Sequence, residues 1–201
     1  MEAHGMRSLV VVGLTLIVAG VVSAQPAGQW LFGSTGRGTP RWTEEAAGVT
    51  YRGGAEFGWA VLAASSLRDG FVEARFKLIA GREDQAGGVV WRWRDTGNYY
   101  VARANALEGN VVAYKVVGGR RSPIAPVGTP RSTYGKQAEV ASGEWHTLRV
   151  EFRGTEAAVI YDGRPLYTVS DETFREPGRI GVWSKADSIT EFLHPRYGEL
   201  P

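Results

Sequence analysis

The chain has 201 residues, 43% of them hydrophobic and 22% charged, which excludes a disordered or fibrous protein and suits one domain of ordinary size. Its 27 glycines, about twice the average share of roughly 7%, favour a turn-rich β architecture over a helical bundle. A net charge of +2 leaves no electrostatic footprint for nucleic acid, and the absence of Cys removes disulfide scaffolds, thiolate zinc sites and Cys nucleophiles.

Residues 1–24 read as a secretory signal peptide. Leu9 to Val22 is almost wholly apolar after the basic Arg7, and Val22-Ser23-Ala24 carries the small residues a signal peptidase reads, which predicts cleavage after Ala24. About 14 apolar residues fall short of the roughly 30 Å of hydrocarbon that a span crosses. No later stretch is apolar enough, so no membrane span is expected after cleavage, and the location is expected to be secreted or periplasmic. A Cys-free exported chain folds without oxidation, which suits a bacterial envelope. Residues 25–57 are Gly-rich and irregular and read as an N-terminal arm with one or two short strands. Within them Glu44-Glu45-Ala46-Ala47 hints at a helical turn. Residues 58–201 read as strand and turn.

Period-two alternation runs through this second part. Phe71 to Ile79 sets Val72, Ala74, Phe76 and Leu78 against Glu73, Arg75 and Lys77. Gly88 to Arg94 sets Val89, Trp91 and Trp93 against Val90, Arg92 and Arg94. Asp95-Thr96-Gly97-Asn98 is a tight turn. Tyr99 to Asn105 follows, then Glu108-Gly109-Asn110, then Val111 to Val117. Short turns predict an antiparallel meander. One face would collect Val89, Trp91, Trp93, Tyr100, Ala102, Val112, Tyr114 and Val116, the expected core. The other would collect Arg92, Arg94, Tyr99, Arg103, Asn105 and Lys115. Trp145 to Arg153 alternates likewise, with His146 on the apolar parity, and Asp162-Gly163 and Pro177-Gly178 punctuate the strands after it. Eight or more short strands with Gly turns predict an all-β antiparallel sandwich of the jelly-roll kind.

The polar face suits hydroxyl-rich or anionic ligands, because it offers planar donors beside one ring. The alternative is a solvated sheet face. A retaining glycosidase needs two carboxyls about 5 to 5.5 Å apart, which jelly-roll glucanases set on one strand as Glu-x-Asp-x-Glu. The nearest run here, Glu73-Ala74-Arg75-Phe76-Lys77, carries cations instead. Acids converging from loops remain: Glu73, Asp95, Glu108 and Asp187. Each has a structural alternative, Asp95 as a turn residue bonding its own backbone and Glu108 as the counter-charge of Arg103. His4, His146 and His194 are spaced for no zinc site, and no cofactor is expected. A structural calcium ion would need only loop oxygens, but no Asp-x-Asp loop supports one.

Several motifs resemble the 3-keto-disaccharide hydrolase domain family, a family-16-like group of glycoside hydrolases related in fold to concanavalin A-like lectins and laminin G domains. They are Gly87-Gly88-Val89-Val90-Trp91-Arg92-Trp93-Arg94-Asp95, Asn98-Tyr99-Tyr100-Val101-Ala102-Arg103-Ala104-Asn105, Gly143-Glu144-Trp145-His146-Thr147-Leu148 and Gly178-Arg179-Ile180-Gly181-Val182-Trp183-Ser184-Lys185-Ala186-Asp187. The likeness covers about Gly58 to Thr190. It implies a jelly roll acting on or binding glycosides, with a carbohydrate as ligand. The positions matching its polar motif are Arg92, Asp95, Asn98, Tyr99, Arg103, Asn105, Glu108, Lys115, Lys185 and Asp187. The family pattern does not fix their roles; face parity makes Glu108, Asp95 and Asp187 the candidate acid–base residues and Arg92, Asn98, Tyr99, Arg103, Asn105, Lys115 and Lys185 the candidate sugar contacts. A non-catalytic lectin-like module and a laminin G-like protein-interaction domain are the alternatives. After Ser188 the chain departs from the family pattern: alternation stops and Pro195 removes a ladder donor, so a short or missing closing strand is expected.

Overall fold

The structure, a computed structural model, describes Met1 and residues 29–200; the rest of the expected signal peptide lies outside the described residues. These residues form sixteen strands: β1 (Trp30–Gly38), β2 (Trp42–Glu45), β3 (Gly48–Arg52), β4 (Ala55–Leu62), β5 (Gly70–Ala80), β6 (Ala86–Asp95), β7 (Asn98–Asn105), β8 (Asn110–Val117), β9 (Arg120–Pro123), β10 (Lys136–Gln137), β11 (Trp145–Arg153), β12 (Glu156–Tyr161), β13 (Arg164–Ser170), β14 (Arg179–Ala186), β15 (Ile189–Leu193) and β16 (Arg196–Gly198). One sheet runs β1-β4-β14-β6-β7-β8-β10, with β9 also on β8. The other runs β13-β12-β11-β5-β15-β3-β2, with β16 also on β5. The result is the expected antiparallel sandwich. No helix among the described residues is long and apolar enough to cross a membrane.

The stretch read as an arm is laid into both sheets as β1 to β4. Where a helical turn was hinted at, Ala46-Ala47 instead closes a hairpin between β2 and β3. The physical reason is cross-strand packing: Trp42 and Tyr51 are register partners with ring centroids 4.9 Å apart. The closing strand is present. β15 inserts between β5 and β3, Pro195 interrupts it, and β16 resumes along β5 with Arg196 opposite Glu73.

Between the sheets lies a core of Val89, Trp91, Tyr100 and Ala102 facing Val72, Phe76, Leu148 and Phe152. A second apolar cluster covers the outer face of the first sheet: Phe57, Trp59, Val90, Trp93, Tyr99, Val101, Val112, Tyr114, Val116 and Trp183. Gly33 makes room for it, since a Cβ there would sit 2.3 Å from the Trp59 ring. Both faces of this sheet are therefore buried, and the expected division into a core face and a polar face is corrected at two points. Arg92 adopts φ of +48°, and the β6–β7 register shifts between Trp91 and Asp95, so Trp93 swings to the outer face and packs 5.0 Å from Trp59. In β8 the register sets Ala113 opposite Ala102, which sends Val112, Tyr114 and Val116 outward and Lys115 to the face of Tyr100.

Candidate functional site

Two of the predicted contacts are structural. Arg92 is 2% exposed, and its guanidinium donates to the carbonyls of Arg68, Gly154 and Phe174 at 2.7 to 2.9 Å and to Asp69 at 3.2 Å. It ties three loops at one end of the sandwich. Tyr99 is fully buried, its hydroxyl 2.9 Å from that of Thr35, and offers no ring to a ligand.

Two of the candidate acids hold loops. Asp95 accepts from the backbone N–H of Gly97 at 2.8 Å and from the Asn98 amide, while Asn98 Oδ1 accepts from Gly118 N–H at 3.1 Å. Both thus serve the β6–β7 turn and its neighbour. Asp187 accepts the N–H groups of Arg82, Glu83 and Asp84 at 2.6 to 3.2 Å and folds the β5–β6 turn. Burial raises its carboxyl, but those three donors outweigh burial and hold it below its ordinary value.

Four of the remaining residues, Arg103, Asn105, Glu108 and Lys185, meet on the outer face of the first sheet. Arg103 is fully buried; it donates to Glu108 at 2.6 Å, to the hydroxyls of Tyr114 and Tyr134 at 3.0 and 3.2 Å, and to Asn110. Asn105 Nδ2 donates to Glu108 Oε1 at 3.0 Å and to Asp84 Oδ1 at 2.7 Å. Asp84 Oδ2 pairs with Lys185 Nζ at 2.9 Å. A chain of charge therefore runs Lys185, Asp84, Asn105, Glu108, Arg103. Burial raises the Glu108 carboxyl, but the Arg103 cation outweighs it and holds the group below its ordinary value.

The two carboxylates share one amide nitrogen, so their nearest oxygens lie within about 6 Å, close to the spacing of a retaining acid pair. Each of the two has a cation against it, Arg103 at 2.6 Å from Glu108 and Lys185 at 2.9 Å from Asp84.

At the Lys185 end the network opens into a cleft of about 620 Å³ lined by Arg37, Glu56, Phe57, Asp84, Arg121 and Lys185. Lys115 stands at a separate cleft of about 820 Å³, where it pairs with Asp171 at 2.6 Å and reaches Thr173 at 3.1 Å. Asp171 also accepts from the Tyr100 hydroxyl at 2.7 Å. Asp84, Arg121 and Tyr134 escape sequence reasoning because they sit in turns and on a short edge strand with no alternation to read. His146 lies between Asp162 at 2.8 Å and the Ala141 carbonyl at 2.9 Å, so neither ring nitrogen is free for chemistry. Among the described residues no group of His, Asp and Glu is arranged to hold a metal ion.

No protein-family model and no curated protein matches this sequence. Solved structures do match it. A carbohydrate-binding module, CBM66 of Bacillus subtilis, shares 21% identity and a TM-score of 0.70 over 86% of this chain and 96% of its own. The exoplasmic/lumenal domain of VIP36, in a Ca2+- and mannose-bound form, shares 10% identity with a TM-score of 0.57 over 85% and 83%. A glycosyl hydrolase candidate from Parabacteroides distasonis shares 18% identity with a TM-score of 0.50 over 79% and 90%. At these identities the likeness is one of fold, and the chain has the jelly-roll sandwich of that group.

Proposed function

We propose that this chain is an exported carbohydrate-binding module that holds a sugar in the Lys185–Asp84 cleft without cleaving it. The observation that carries this reading is the pairing of the two acids that approach each other: Glu108 with Arg103, whose cation holds its carboxyl below the ordinary value, and Asp84 with Lys185 at 2.9 Å. Such groups bind hydroxyls as oriented donors and acceptors, and Phe57 offers an apolar edge beside them. The fold likeness to a carbohydrate-binding module and to a mannose-bound lumenal domain supports the same reading. Export follows from the apolar run Leu9 to Val22 and the small residues before Gln25. The resemblance to 3-keto-disaccharide hydrolases favours the catalytic alternative, as does the close approach of Asp84 and Glu108.

The test is incubation of residues 25–201 with plain oligosaccharides and 3-keto-glycosides, reading thermal shift and product release together. A raised melting temperature with no released product is expected. Turnover that disappears in Glu108→Gln or Asp84→Asn would replace the binding reading with a hydrolase.

A further inference from the structure

On the outer face of the first sheet every buried or part-buried cation but one has an acceptor. Arg103 has Glu108, and Lys185 has Asp84. Arg121 has none: it makes no ion pair and no side-chain hydrogen bond among the described residues, and its Nη1 is buried without a partner. Its position is nevertheless well defined. Arg121 faces Val116 across the β8–β9 ladder, and its guanidinium carbon lies 4.5 Å from the Phe57 ring centroid, 4.4 Å from Tyr114 and 5.7 Å from Trp183. Rings from three strands thus hold the guanidinium at the wall of the 620 Å³ cleft. Aromatic faces stabilise the charge but accept none of its five N–H donors in the way an oxyanion does. Of the acids at the cleft, Asp187 is engaged by three backbone N–H groups and Asp84 by Asn105 and Lys185. Glu56 accepts the Arg37 backbone N–H at 3.3 Å and Glu83 is exposed; neither of these two reaches Arg121 in an ion pair.

We infer that the sugar taken by this cleft carries a carboxylate, a uronic acid residue, which Arg121 receives through its planar fork. This rests on the carbohydrate-binding reading above and narrows its ligand class. A guanidinium held by rings and lacking a counter-ion is pre-positioned for a planar carboxylate, whose two oxygens match paired N–H donors. Exposed Arg37, at the same cleft, adds positive charge along the approach.

The experiment is calorimetric titration of residues 25–201 with oligosaccharides of galacturonate, glucuronate and mannuronate, each beside its carboxyl-reduced form. At least one acidic sugar is expected to bind about tenfold or more tighter than its reduced partner at low salt, and the gap should shrink at high salt. Arg121→Gln should erase the gap, and Arg121→Lys should keep part of it. The comparison of acidic and reduced sugars in the unaltered chain stands even where a variant fails to fold. Equal affinity for both members of every pair would overturn the inference and leave the carbohydrate reading intact. A gap that persists in folded Arg121→Gln would place the carboxylate elsewhere and overturn it as well. Binding of none of these sugars, with binding of a neutral one, removes the inference alone; binding of no saccharide removes both.

Discussion

Asn105 joins Asp84 to Glu108: one amide nitrogen donates to both carboxylates, at 2.7 and 3.0 Å. Two acids from different loops are thereby held side by side, each with its own cation behind it, Lys185 for Asp84 and Arg103 for Glu108. The geometry of the candidate site depends on this bridge.

Asn105→Leu should therefore destabilise the fold by about 2 to 3 kcal/mol, because Asn105 is fully buried and two acceptors lose their donor. Urea unfolding measures it. A change under half of that would mean that solvent supplies the missing bonds.

Arg103→Ala should cost about 3 kcal/mol or more, since it removes a fully buried cation that anchors Glu108, Asn110 and two tyrosines. Face alternation alone puts Arg103 on a solvated surface, where the same substitution would leave the melting temperature unchanged. Differential scanning calorimetry separates the two cases.

Trp91→Ala and Trp93→Ala should both cost about 3 to 5 kcal/mol, although one ring lies between the sheets and the other outside the first sheet. A Trp93→Ala variant as stable as the parent chain would show that the outer cluster contributes no packing energy.

Acid should weaken the fold through Glu108 and Asp187, whose carboxyls titrate below their ordinary values of 4.5 and 3.8. A group depressed in the folded state stabilises it above the unfolded value and loses that contribution as pH falls through the folded value. Denaturant midpoints should be insensitive to these two groups near neutrality and should fall as the pH drops below about 4.5. Asp187→Asn should lower the neutral-pH midpoint and flatten the acid decline; an unchanged acid slope would show that the loop bonds do not govern it.

These outcomes separate what alternation can read from what it cannot. In β5 and β11 one face is apolar and the other charged, so Val72, Ala74, Phe76 and Leu78 point inward as their spacing requires. The first sheet is buried on both faces, and there Val-Val-Ala-Tyr-Lys-Val-Val carries no sign telling inside from outside. The four-residue turn Ala106 to Gly109, which pairs Asn105 with Asn110, settles that register. The bulge at Arg92 is silent in composition, since a left-handed arginine is no rule of sequence. Asn105, Arg103, Glu108 and Lys185 can be read as candidates because they lie on or beside strands. Asp84 cannot, because only the bonds from its turn to distant Asp187 bring it to the site. Lys115 and Arg92 lie on strands of the same sheet as the site residues but not on their side of it, a difference made by one bulge and one register.

The most direct measurement is a crystal structure of residues 25–201 with a bound oligosaccharide. Sugar hydroxyls should lie within hydrogen-bond distance of Lys185 and Asp84, with the ring beside Phe57. A sugar seated instead in the 820 Å³ cleft, against Lys115 and Asp171, would contradict the assignment of the site.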